Sequence, residues 1–279
     1  MSRWLGGGAN YPAIWLYHLG RRICYPADME ILGVPLWHLV FSSLAVFGAA
    51  IVRGFSGFGF SLLSITAITL IMPQSEVVPS IFLLEIAASL HLIPSIWREI
   101  HWRSLAFLLL GCVIGTPIGV AALANVAPAP MTLAMSVFVI VTAAAMLRGF
   151  HLEKTPGPLA TTATGAFSGV LNGAFGIGGP PVILFFFSTP GAAAIGRASV
   201  IAYFIGTDSM GLAWDAYHDL ITRQTFLQAA LWLIPLLIGV SLGARSFRHV
   251  GEDTFRRWVL RLLMLLAVLS AGKALAALL

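Results

Sequence analysis

Ten apolar stretches, separated by short polar or glycine-rich intervals, run along the chain at roughly 36–52, 60–72, 79–97, 104–123, 131–147, 160–172, 180–189, 197–214, 226–244 and 258–278. A helix that crosses a bilayer needs about 20 apolar residues at about 1.5 Å of rise each. Segments 79–97, 104–123, 131–147, 197–214, 226–244 and 258–278 approach or meet that length, whereas 60–72, 160–172 and 180–189 are too short to cross alone. The short segments flank the two most glycine-rich stretches, which is the pattern of a discontinuous membrane helix. Trp37, Trp97, Trp102, Trp214 and Trp258 fall at or just beyond segment ends, where an indole ring straddles hydrocarbon and headgroup. Trp232 falls inside a segment and is read as packing between helices.

The two halves share a glycine skeleton. VRGFSGFGF at 52–60 and LNGAFGIGG at 171–179 align with an offset of 119, placing Gly54, Gly57 and Gly59 on Gly173, Gly176 and Gly178. Gly115 and Gly119 match Gly239 and Gly243 with an offset of 124, the extra residues fitting in a longer loop around 215–225. The latter pairs have the GxxxG spacing that lets helices approach closely. The pattern predicts an all-α polytopic membrane protein of two repeats of about four helices, at 35–150 and 160–279. Residues 1–34 have no long apolar run ending in a small-residue cleavage site, and read as an interfacial or flexible segment.

Composition agrees. Of 279 residues, 58% are hydrophobic and 10% charged, against about 25% charged in soluble domains. The mean hydropathy of +0.92 is spread along the whole length, so lipid is the solvent for most of the chain. The net charge of +5 comes from cations between apolar runs, with no basic stretch interleaved with aromatics, so nucleic acid is not an expected partner. Two topologies fit: each broken segment crosses once, or each turns back at mid-membrane and inverts the second half. Both divide the flanking Lys and Arg nine to five, so the positive-inside rule cannot choose. The shortness of 180–189 favours inversion, which places two half-helix pairs at one central site. Cys24 and Cys112 form no motif, and no disulfide, metal or cofactor is expected.

Non-helical backbone inside a membrane is tolerated only where protein or a cavity satisfies its polar groups. Glycine lets the backbone turn and lets a ligand come close, and the exposed amides of a half-helix make an anion site. Pro180 and Pro181 suit the first turn of a helix starting at Gly179. Arg53 directly precedes the first glycine cluster, and an arginine within a membrane is by default a functional candidate. Its planar fork of donors suits carboxylate, sulfonate or sulfite oxygens. The competing reading is an ion pair with Glu85 or Asp208 for structure alone. Asn172 holds the equivalent position in the second half, and Ser56 and Ser168 add hydroxyls. The expected binding residues are therefore Arg53, Ser56, Gly57, Gly59, Asn172, Gly173, Gly176 and Gly178. Glu85 and Asp208, mid-segment carboxylates, are candidate proton carriers, and His91 lies on the same segment as Glu85 but on a different face. Gly54-Phe55-Ser56-Gly57 matches the GxSG of intramembrane serine proteases, yet the second half keeps the glycines and puts Phe175 in the serine position. The repeated element is a backbone shape rather than a nucleophile, and no other enzyme or ATPase motif is present.

RGFSGFGFSLLSI at 53–65 and GVLNGAFGIGGPPVIL at 169–184 resemble the TauE/SafE-type sulfite exporter family, also called TSUP. The resemblance extends over about residues 35–279. It implies a multi-pass secondary transporter of the bacterial inner membrane for sulfite, organosulfonates or related anions, built from duplicated four-helix units and coupled to protons in some form. Phe58 and Phe60 depart from the all-glycine version of the first motif. Expected partners are a small anion and the lipid bilayer; a homodimer is compatible with this reading. An anion channel with a glycine-lined constriction is the alternative.

Overall fold

A computed structural model describes residues 30–31, 34–148, 156–188, 193–246 and 252–278. The chain divides into two compact units, Met1–Trp37 and His38–Leu279. In the first, two-residue strands β1 (Glu30–Ile31) and β2 (Val34–Pro35) pair antiparallel, Glu30 opposite Pro35. Most of the expected interfacial segment 1–34 lies outside the described residues.

The rest is helical: α1 (Leu36–Ser56), α2 (Phe60–Ile68), α3 (Gln74–Ile96), a 3-10 turn (Trp97–Glu99), α4 (Trp102–Asn125), α5 (Pro128–Leu147), α6 (Pro158–Phe175), α7 (Gly179–Ser188), α8 (Ala193–Tyr217), α9 (Arg223–Ser246) and α10 (Glu252–Leu278). Each apolar stretch of the sequence has become one helix. Helices α1, α3, α4, α5 and α9 are long and apolar enough to span a membrane. The protein is an all-α, multi-pass membrane protein. Helix α8 has the length, but it carries Arg197, Asp208 and Asp215 and packs against α3, α4, α6 and α7, so protein rather than lipid surrounds much of it.

Local chemistry sets the breaks. Between α1 and α2, Gly57 and Gly59 adopt φ of +81° and +92°, and between α6 and α7 Gly176 adopts +68°, a region costly to residues with a Cβ. Helix α6 starts on Pro158, and its Gly176 cap donates to the Asn172 carbonyl at 2.7 Å, the usual left-handed stop. Almost all of α2 is buried, including Phe60, Ser61, Ile65 and Ile68, so protein satisfies the irregular backbone beside it.

The offsets of 119 and 124 recur in the packing. A Cβ on Gly54 would lie 2.2 Å from the Val240 carbonyl oxygen, and one on Gly173 would lie 2.4 Å from that of Thr116. Gly115 would meet the Ala166 carbonyl oxygen at 2.0 Å, and Gly239 that of Phe47 at 2.7 Å. Gly119 would meet the Val170 oxygen at 2.2 Å, and Gly243 that of Ile51 at 2.1 Å. In every pair the glycines and their partners are related by one of the two offsets. Helix α1 thus lies backbone to backbone on α9, as α6 lies on α4. The tryptophans divide as expected: Trp37, Trp97, Trp102 and Trp214 are exposed, and buried Trp232 donates from Nε1 to Ser42 Oγ at 3.1 Å. The side chain of Trp258 lies outside the described residues.

Candidate functional site

The two breaks meet α3 and α8 in the core, and there the polar residues of the sequence converge. Arg53, at the end of α1, is fully buried. One guanidinium nitrogen stands 2.8 Å from Glu85 Oε2 on α3, and another donates to Ser89 Oγ, one helical turn on, at 2.5 Å. The face of the guanidinium lies 5.1 Å from the ring of Phe204 on α8, a cation–π contact. Glu85 turns its other oxygen to the start of α2, where Oε1 accepts from Ser61 Oγ at 2.6 Å and from the Ser61 backbone N–H at 3.2 Å. One carboxylate therefore bridges the arginine of the first broken segment to the amino end of its second part.

The second break has the same plan with an amide in place of the guanidinium. Asn172 Nδ2 donates to Asp208 Oδ1 at 2.9 Å, and its Oδ1 accepts from the Gly178 N–H at 3.1 Å. Thr207 Oγ1 donates to the same Asp208 oxygen at 3.4 Å. The Arg53–Ser89 and Asn172–Asp208 bonds each span 36 residues, and 53 to 172 and 89 to 208 are both steps of 119. Beside Asp208 runs a chain in which the Tyr203 hydroxyl donates to Ser168 Oγ at 2.7 Å and Ser168 donates to the Gly178 carbonyl. Cys112 Sγ lies 2.8 Å from the Tyr203 oxygen. Asp208 is close enough for its charge to act on both Glu85 and Arg53.

A cavity of about 20 Å³ opens between the two breaks, lined by Gly59, Ser61, Glu85, Gly179, Pro180 and Phe204 among others. On that scale one water needs about 10–15 Å³. Two pairs of lining residues keep the same offset: Ser61 faces the space with Pro180, and Glu85 with Phe204. Among the lining residues, the hydroxyl and the carboxylate both come from the first half, as Ser61 and Glu85.

Of the residues expected to bind, Gly59 lines this cavity, as does Glu85 of the expected proton carriers. Arg53 does not line it: its guanidinium is engaged by Glu85 and Ser89, the ion pair that was the competing reading. Asn172 and the Gly178 amide hold each other, and Gly173 is spent on packing α6 to α4. Gly57 lies under Arg197, whose Cγ is 2.6 Å from where a Cβ would be, and Gly176 lies under Ile65 and Val78. Arg197 also donates to the Gly54 carbonyl at 3.3 Å. Ser56 ends α1, and its side chain lies outside the described residues. His91 is exposed on α3, outside this cluster. Sequence reasoning missed Ser61, Ser89, Phe204, Tyr203 and the position of Arg197. The offset was the available signal, since 119 carries Phe204 back to Glu85 and Asp208 back to Ser89. No group of three or more His, Cys, Asp or Glu residues is placed to hold a metal ion among the described residues.

Residues 42–270 match the sulfite exporter TauE/SafE family. The chain is 26% identical over 213 residues to a probable sulfite/organosulfonate exporter TauE of Cupriavidus necator, an alignment covering 74% of this chain and 82% of that protein. No solved structure matches significantly.

Proposed function

The chain belongs to the sulfite exporter TauE/SafE family, a family of membrane transporters and not of enzymes, and we propose that it exports a small oxyanion, sulfite, an organosulfonate or a related carboxylate, across the bacterial inner membrane by alternating access. The supporting observation is the cluster of Arg53, Ser61 and Glu85 beside the cavity between two glycine breaks. A buried guanidinium and the amino end of a helix together favour an oxyanion. The name of the Cupriavidus relative supports the sulfur class of substrate.

Helices α1–α5 and α6–α10 act as a duplicated unit, 35–150 and 160–279; the offset-related contacts support this, and inversion of the second unit remains the arrangement that brings both breaks to one depth. The substrate site comprises Arg53, Ser61 and the backbone at Gly59, with Phe204 beneath the guanidinium. Asn172, Gly173, Gly176 and Gly178 shape the opposing wall. Glu85 or Asp208 couples protons. A cavity with room for about one water is too small for a sulfonate headgroup, so loading requires the breaks to part. That closure speaks against a permanently open channel.

The test is counterflow of radiolabelled sulfite and of 2-hydroxyethanesulfonate in proteoliposomes. Wild-type protein should exchange at least one of them, and Arg53→Met and Ser61→Ala should lower exchange about tenfold or more. Exchange at wild-type rate in both variants would remove this site from the transport path. Large single-channel currents in planar bilayers would replace the carrier with a channel.

A further inference from the structure

We infer that the Glu85 carboxylate is a built-in occupant of the anion site, which the transported anion must displace. The inference rests on the transport reading above and deepens it. Glu85 is an oxyanion held by the groups that would hold a substrate oxyanion: the Arg53 guanidinium at 2.8 Å, and the Ser61 hydroxyl and N–H at 2.6 and 3.2 Å. It is 1% exposed, yet it forms part of the cavity wall, whereas Arg53 behind it does not. The site is thus already filled, by a carboxylate on a tether.

The equivalent place in the second half makes the point by contrast. There Phe204 stands in the Glu85 position and Pro180, which has no N–H, in the Ser61 position. The second break's carboxylate, Asp208, stands instead in the Ser89 position, bonded to the Asn172 amide and off the cavity wall, so a carboxylate that faces both a cation and the cavity belongs to the first break. The second break holds its shape with the Asn172 amide instead.

Charge dictates what displacement requires. Arg53 and Glu85 together are neutral. A univalent anion arriving on Arg53 while Glu85 stayed charged would leave two anions against one cation in a buried site, which is costly. Among the described residues, Asp208 on α8 acts on both groups, and Arg197 on α8 acts on Arg53. If a proton from solvent binds Glu85 Oε2 as the Arg53 contact breaks, Arg53 re-pairs with an oxygen of the incoming anion. The loaded site is again neutral. One proton is therefore taken up with each univalent anion bound.

The experiment uses purified full-length protein and 2-hydroxyethanesulfonate, whose charge is constant across neutral pH. Affinity is measured from pH 5.5 to 8.5, and proton uptake is measured by calorimetry in buffers of different ionisation heat. Wild type should bind about tenfold tighter for each unit of falling pH where Glu85 is charged, approaching one proton per anion. Glu85→Gln, which keeps an acceptor for Ser61, should bind at least as tightly as wild type at its best pH, with no pH dependence. Asp208→Asn reads which of the two carboxylates takes the proton: whatever its affinity, its slope against pH should persist. Binding without proton uptake, or an unchanged pH dependence in Glu85→Gln, overturns the inference; a dependence lost in Asp208→Asn and kept in Glu85→Gln transfers the role to Asp208. Should Glu85→Gln not fold, wild type and Asp208→Asn decide alone. If neither sulfite nor the sulfonate binds or exchanges in wild type at any pH, the transport reading itself fails, which is a different result from exchange without proton uptake.

Discussion

Removing either member of the Arg53–Glu85 pair should cost far more than removing both. The side chains are 0% and 1% exposed at 2.8 Å separation. In Glu85→Leu the guanidinium keeps Ser89 Oγ and the Phe204 face but loses its counter-charge, and a buried charge stranded in this way costs about 3–5 kcal/mol. The Ser61 hydroxyl and N–H also lose their acceptor, at about 1–3 kcal/mol. In Arg53→Met the carboxylate keeps both Ser61 donors and can be neutralised by a proton, so the loss should fall near the lower end, about 3 kcal/mol. The double variant Arg53→Met/Glu85→Leu strands no charge. It leaves only Ser61 and Ser89 short of partners, against the gain of about 1–4 kcal/mol often seen when apolar residues replace a buried pair. Its stability should lie within about 2 kcal/mol of wild type. The two single losses summed, about 7 kcal/mol or more, then exceed the double loss by about 5 kcal/mol or more. Denaturant titration in detergent micelles, followed by tryptophan fluorescence, measures all four proteins. Additive losses, with the double variant least stable, would refute the claim that the pair is one neutral unit. The double variant should be folded and unable to exchange anions, separating stability from transport.

Gly115→Ala drives a Cβ to 2.0 Å from a backbone oxygen of α6 and should abolish recovery of folded protein. Gly48→Ala, which meets nothing within 4 Å, should be neutral or stabilise by about 0.5–1 kcal/mol; size-exclusion profiles of the two variants test the contrast. Gly57→Ala imposes the left-handed region on alanine, about 1–2 kcal/mol, and pushes against the Arg197 side chain, so its melting temperature should fall and Arg197→Ala should recover part of the loss. Asp208→Asn retains an acceptor for Asn172 and should unfold within about 1 kcal/mol of wild type; a loss beyond 3 kcal/mol would mean that the carboxylate charge itself holds the core.

The helices were legible because hydropathy alone bounds a segment that lipid or protein must enclose. The broken segments were legible because Gly57, Gly59 and Gly176 have a backbone requirement that few other residues meet. Side-chain pairing was less so. The sequence leaves Arg53 open between substrate and two carboxylates, since Glu85 and Asp208 both sit mid-segment, and only the packing of α3 on α2 brings Ser61 to Glu85. Ser61 and Phe204 carry no distinguishing local pattern; a serine and a phenylalanine in an apolar run are commonplace. Arg197 sits at the boundary of an apolar stretch like the other flanking cations, but α8 starts far enough upstream to carry it onto the first break. Cation counting gave equal splits and no orientation, because it ignores which cations are engaged inside the protein.

The glycine seams have a mechanical consequence. Helix α1 is locked to α9 and α4 to α6, each a strut made of one helix from either half of the chain, with backbone close against backbone and at most an alanine methyl between. The halves are therefore cross-laced. Rocking residues 38–148 as a block against 156–278 would have to unpick both struts at once. Motion that keeps both struts intact has to run through the other contacts between the halves, among them α3 on α8 and α5 on α10, so a hinge here would follow the lacing and not the order of the gene.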